Sequence, residues 1–332
     1  MPPLLSDTTV LLLSCGFSAS YLSSIYLVPS ARIRLPHRAA NAPTGPPTTS
    51  KDDPATVSTP PAERRDRNHP GVIRARLVAV SLSSVSSLLS VPYILSKSSL
   101  GSPYRSSISR ALRLCGFVLP STWRESFNLI VYPLGLTATL FLGSLYVQYI
   151  EGDLPLQKRG GTLESLKQRF DGWRGVRNFV LAPLTEELTF RSCVVGISYL
   201  GGWNKRQLVF LTPMWFGLAH VHHAYENWLA GGKTKKALLQ SVLVSTFQFA
   251  YTTLFGWYAT YLFLRSGSII PPVLAHSFCN VMGLPPLGWA LQAYPERKIS
   301  LWTSYLVGIG GFVWGFWRMT EPSLFGGSLY WP

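Results

Sequence analysis

Charge is scarce in this sequence. Only 14% of its 332 residues are Asp, Glu, Lys or Arg, against about a quarter in soluble domains. A coiled coil or a disordered chain needs far more charge and fewer aromatics. Acidic residues are the scarcer sign, 15 against 30 Lys and Arg, for a formal net charge of +15. Cysteine is sparse too: Cys15, Cys115, Cys193 and Cys279, with no C-x-x-C. That argues against a disulfide framework and leaves buried, small apolar residues as the expected role.

What is abundant is apolar. The hydrophobic set makes up 47% of the chain and aromatics 13%. These residues fall in long blocks, the pattern of a polytopic membrane protein. The expected fold is all-α, with about eight transmembrane helices near 8–29, 77–95, 127–150, 178–200, 207–223, 241–264, 268–291 and 300–319. The first block lacks a basic leader and is longer than a signal-peptide core, so it reads as a retained span. Ala111 to Pro120 is too short to span. Residues 39–63, mostly Ala, Pro, Thr and Ser, read as a disordered linker. The expected organisation is therefore 1–76, a span plus linker, and 77–332, a membrane-embedded core whose motifs lie in 176–284.

Lys and Arg sit mainly between the apolar blocks, where they meet anionic headgroups. No zinc-finger spacing or nucleic-acid motif accompanies them, so no nucleic-acid partner is expected. They are concentrated in 30–76 and 151–177, which places both segments on the cytoplasmic side.

Three blocks contain polar residues that lipid does not tolerate. The fourth, RNFVLAPLTEELTFRSCVVGISYL, carries Glu186, Glu187 and Arg191 near its middle. Each charge costs about 2.5–3.5 kcal/mol at a bilayer centre, so all three must face a protein or water-filled interior. Glu187 and Arg191 are four apart and can pair on one face. Glu186 is rotated by about 100° and has no obvious local partner. Pro183 removes a backbone donor one turn earlier and should leave room near Glu186. The fifth block carries His220, four residues after Phe216, then His222 and His223. His220 is the deeper candidate; the other two read as interfacial anchors. In the seventh, His276 and Asn280 share a face. A buried salt-bridge cluster and an interhelical hydrogen-bond pair are the purely structural alternatives.

The stretches RNFVLAPLTEELTFRS, FGLAHVHH and AHSFCN together resemble the Ras-converting CAAX endopeptidases. These are the type II CAAX prenyl proteases, within the wider family of CAAX proteases and bacteriocin-processing enzymes. The resemblance implies a multi-pass hydrolase of the endoplasmic reticulum membrane, reached from the cytoplasmic side. It implies removal of the last three residues of a prenylated C-a-a-X protein, such as a farnesylated or geranylgeranylated small GTPase. By the same resemblance Glu186 is the catalytic, water-activating carboxylate and His220 helps hold the water. His276 and Asn280 serve the oxyanion, and Glu187 and Arg191 have supporting roles. No cofactor is implied. The Glu and His residues keep zinc-dependent proteolysis open as an alternative. Cys193 as a thiol nucleophile, a transporter, and a non-proteolytic scaffold of the same fold are the other readings.

Overall fold

The computed structural model describes residues 3–33, 67–98, 104–157, 170 and 172–332. The expected 39–63 linker lies outside them, as does much of the 151–177 loop. Among the described residues the chain is all helix, with no strand. In chain order the helices are α1 (Asp7–Leu27), α2 (Pro70–Ser98), α3 (Tyr104–Leu114), α4 (Trp123–Leu140) and α5 (Leu142–Glu151). An irregular helix α6 follows over 172–200. Then come α7 (Lys205–Ala219), α8 (His222–Ala230), α9 (Lys235–Ser266), α10 (Ile270–Met282), α11 (Leu287–Ala293) and α12 (Lys298–Arg318).

Four helical segments are long and apolar enough to cross a membrane: α1, α2, α9 and Pro295–Arg318, which contains α12. The α4–α5 pair, bent by 76° around Phe141, raises the number to five. The sequence expectation of about eight spans is not reproduced as eight full-length helices, and the difference has a physical pattern. The three blocks that fall short are those bearing the polar motifs. α7 has 15 residues and α10 has 13, and α6 is interrupted by π turns at Arg177–Leu181 and Leu188–Val194. Short or broken helices at membrane depth are tolerated where they line a protein cavity rather than lipid.

Helix ends follow local chemistry. Asn204 and Gln207 form a capping box at the start of α7, and Thr122 and Glu125 form another at α4. Pro271 and Pro272 open α10, where a missing N–H costs nothing. Part of the serine content that weakens the hydropathy of α1 and α2 is buried: Ser14, Ser18, Ser83, Ser84 and Ser87. Ser20 meets Ser83 at 2.9 Å, and the Ser84 hydroxyl donates to the Thr185 carbonyl at 3.1 Å and contacts the Thr189 hydroxyl at 2.9 Å. They tie α1 to α2 and α2 to α6, as small polar residues do between membrane helices. The opposite faces of α9 and α12 expose Leu243, Phe247, Val313, Trp314 and Trp317, side chains suited to lipid. The C-terminal end is locked by buried Arg265, which donates to the Thr320 carbonyl at 2.8 Å and pairs with Glu321 at 2.8 Å.

Candidate active site

The three motif helices converge on one cavity of about 760 Å³. Its wall includes Glu186 of α6, His220 at the end of α7, and His276 and Asn280 of α10. All four candidate catalytic residues read from the sequence are therefore brought together in one space.

Glu186 and Glu187 occupy the short regular stretch Ala182–Glu187, with a π turn on either side. The irregularity expected at Pro183 takes this form, and such widened turns recur at functional sites. Glu187 points away from the cavity and is fully buried. Its Oε1 lies 3.1 Å from Arg191 Nη1 and its Oε2 3.0 Å from Nε, forming the i, i+4 pair anticipated from spacing. The Nη1–Oε1 contact is a hydrogen bond, whereas Nε and Oε2 form an ion pair without hydrogen-bond geometry. Oε1 also accepts from His276 Nδ1 at 2.7 Å. One carboxylate thus serves a guanidinium and an imidazole together. The guanidinium is further covered by the Phe216 and Phe255 rings, 4.6 and 5.8 Å away, so this buried charge sits between aromatic faces.

With Nδ1 committed to Glu187, His276 turns Nε2 toward Glu186, whose Oε2 is 3.6 Å away. That separation is too long for a direct hydrogen bond and suits a bridging water or substrate atom. His220 is fixed in the same manner. Its Nδ1 donates to the Phe216 carbonyl at 2.8 Å, leaving Nε2 as an acceptor. The Phe216 ring packs edge-on against both His220 and His276, at 4.7 and 6.1 Å between centroids. Asn280, one turn beyond His276, is exposed in the cavity wall and donates Nδ2 to the Asn178 carbonyl at 2.8 Å. One amide N–H remains for a ligand.

Much of the remaining wall is apolar, with Leu140, Phe141, Leu254, Phe255, Tyr258 and Phe312, while Arg67, Arg76, Arg177 and Gln248 add polar groups to it. α1 contributes Tyr21, Leu22 and Ile25, so this first span is part of the site. The Tyr21 hydroxyl meets the Thr185 hydroxyl at 3.2 Å, immediately before Glu186. Cys193 is fully buried and absent from the cavity wall, which removes the geometry that a thiol nucleophile requires.

His222 and His223 also line the cavity rather than standing outside it. His223 Nδ1 approaches Glu226 Oε2 at 3.4 Å, and Arg76 Nη2 reaches Glu226 Oε1 at 3.2 Å. Among the described residues His222, His223 and Glu226 form a group whose donor atoms lie within 4.8 Å of one another. A transition metal fits such a donor set chemically, although Arg76 and the Tyr26 hydroxyl already occupy Glu226 Oε1. Burial pushes the Glu226 carboxyl up, but the His223 hydrogen bond and the Arg76 charge outweigh it and hold it down at about 2. Sequence reasoning missed Glu226, Arg76 and Arg177. The available signal was the i, i+3 spacing of His223 and Glu226; the arginines lie on distant segments.

Known proteins resemble this chain in sequence. The Type II CAAX prenyl endopeptidase Rce1-like family matches residues 168–282, which contain all three motifs. The chain is 33% identical over 308 residues to the probable CAAX prenyl protease 2 of Schizosaccharomyces pombe, covering 92% of this chain and 93% of that protein. It is 36% identical over 266 residues to the human CAAX prenyl protease 2, covering 78% and 75%. The Arabidopsis thaliana CAAX prenyl protease 2 is 30% identical over 267 residues, covering 76% and 80%. No solved structure matches. With relatives this similar over most of its length, the chain belongs to the type II CAAX prenyl endopeptidase family.

Proposed function

We propose that this multi-pass membrane hydrolase removes the terminal tripeptide of prenylated C-a-a-X proteins by direct activation of water. The observation that carries this reading is the shared cavity of Glu186, His220, His276 and Asn280, with Leu, Phe and Tyr side chains over much of its remaining wall. A prenyl chain partitions into such an apolar wall while the polar cluster meets the scissile amide.

In this mechanism a water donates one hydrogen to Glu186 and the other to His220 Nε2. Glu186 takes the proton as the hydroxide oxygen bonds to the carbonyl carbon. The resulting oxyanion is held by the Asn280 amide and by Nε2–H of a protonated His276. The Glu187 carboxylate, 2.7 Å from Nδ1 of that ring, compensates its charge while Glu186 holds the proton. Glu186 then passes its proton to the nitrogen as the C–N bond breaks. No step needs a metal. The endoplasmic reticulum membrane, cytoplasmic access and small-GTPase substrates belong to the same proposal, supported by the basic segments 30–76 and 151–177.

The test is turnover of a farnesylated C-a-a-X peptide by reconstituted wild type and Glu186→Gln. Loss of a general base should reduce kcat by about 10²–10⁴-fold. Full activity in the variant would favour another chemistry, and no cleavage by wild type would favour the scaffold.

A further inference from the structure

A protease that releases three residues must locate the end of its substrate as well as the bond. The cavity holds a group chemically suited to that task. Arg177 lies in the same wall as Glu186 and Asn280, with Arg67 and Arg76 beside it. Its guanidinium is fixed by three hydrogen bonds. Nε donates to Asn178 Oδ1 at 2.8 Å, Nη1 to the Arg67 carbonyl at 2.9 Å, and Nη2 to Asn68 Oδ1 at 3.2 Å. These use three of five N–H donors and leave two for a ligand. All three partners are neutral. Among the described residues, Glu226 neutralises Arg76, whereas no carboxylate lies within ion-pair distance of Arg177. The charges of Arg67, Arg174 and Arg76 all bear on it. A fixed, uncompensated cation group in a largely apolar cavity wall is a receptor for an anion.

The spacing suggests which anion. Nine positions of α6, the first of them in a π turn, take the chain from Arg177 to Glu186, a rise of at most about 13 Å at the α-helical 1.5 Å per residue. Three extended residues beyond a scissile bond span about 10 Å. The reach of an arginine side chain covers the difference. Arg177 is also coupled to the reacting end. Asn178, which its Nε holds, supplies the carbonyl that positions Asn280 at 2.8 Å.

We propose that Arg177, assisted by Arg67, binds the free α-carboxylate of the C-terminal residue and so sets the three-residue length of the released peptide. This rests on the protease reading above and adds a specificity residue to it. Guanidinium and carboxylate match as planar, two-pronged partners.

The experiment compares a farnesylated peptide ending in a free carboxylate with the same peptide ending in a carboxamide, using the full chain in phosphatidylcholine vesicles. Wild type should cleave the carboxylate form with kcat/KM roughly ten- to a hundredfold higher. Arg177→Gln should lower the carboxylate value far more than the amide value, so that the ratio of the two falls to about one, and residual cleavage of the amide peptide reports intact folding. Arg177→Lys should restore part of the preference, and Arg67→Gln should weaken it. Equal cleavage of both peptides by wild type, or a preference surviving Arg177→Gln, overturns the clamp but not the protease. Equal loss on both peptides in the Arg177 and Arg67 variants, with activity tracking added phosphatidylserine, assigns the cluster to a lipid headgroup and also overturns the clamp. No cleavage of either peptide by wild type overturns the protease reading itself.

Discussion

Glu187 and His276 are joined by a 2.7 Å contact between Oε1 and Nδ1, although 89 residues separate them in the chain. The same Glu187 oxygen accepts from Arg191. Glu187 therefore acts through His276 as a positioning residue, setting which ring nitrogen faces Glu186. Glu187→Gln keeps the shape and removes the charge. Loss of such an orienting partner should lower kcat about ten- to a hundredfold with little change in KM. Glu187→Ala should in addition destabilise the protein by about 3–5 kcal/mol, because Arg191 would remain buried without a counter-charge. Steady-state kinetics on a farnesylated peptide and thermal unfolding in detergent separate the two effects. An unchanged kcat in Glu187→Gln would refute the positioning role.

The second prediction concerns metal. Glu186 and His276 are oriented by protein groups alone in the proposed chemistry, so prolonged dialysis against a strong zinc chelator should leave kcat unchanged. If activity is lost and zinc alone restores it, the zinc-dependent reading stands. Glu226→Gln then locates the ion, since that change removes a donor from the group with His222 and His223 while leaving Glu186 intact.

The third prediction follows from a close helix approach. A Cβ on Gly256 of α9 would stand 2.6 Å from Pro213 Cβ and 3.3 Å from Arg191 Nη2. The proline ring cannot rotate away, so Gly256→Ala must push α7 from α9 and disturb the Arg191 seat. Overpacking of this kind costs about 1–3 kcal/mol. A lower Tm and lower turnover are expected together. Gly288→Ala, which meets nothing within 4 Å, should change neither, and equal behaviour of the two variants would dismiss the packing account.

The membrane class, the Glu187–Arg191 pair and the four candidate catalytic residues were legible because each rests on local spacing or on the high cost of charge in lipid. Motif order also carried the family. Three things were not legible. The π turns around Glu186 depend on how α6 fits between α2 and α10, which no local pattern encodes. His222 and His223 read as interfacial because the sequence does not show α7 ending at Ala219 and the chain turning into α8. Arg76 and Arg177 looked like ordinary flanking charges, since their value lies in a cavity assembled from segments far apart in sequence.

The last prediction joins α8 to the first two helices. Tyr26 of α1 donates to Glu226 at 3.2 Å, Arg76 of α2 pairs with it at 3.2 Å, and His223 of α8 approaches it at 3.4 Å. One carboxylate therefore closes the junction of three helices beside the cavity. Its folded-state value of about 2 lies below its ordinary 4.5. A carboxylate depressed in this way stabilises the fold in full above 4.5, and the contribution disappears as pH falls from 4.5 toward 2. Glu226→Gln lacks the charge at every pH. The Tm of wild type in detergent should exceed that of Glu226→Gln near neutral pH, and the gap should close through this acidic window. A gap that stays constant across the window would show that Glu226 contributes by shape and neutral hydrogen bonds, not by its charge.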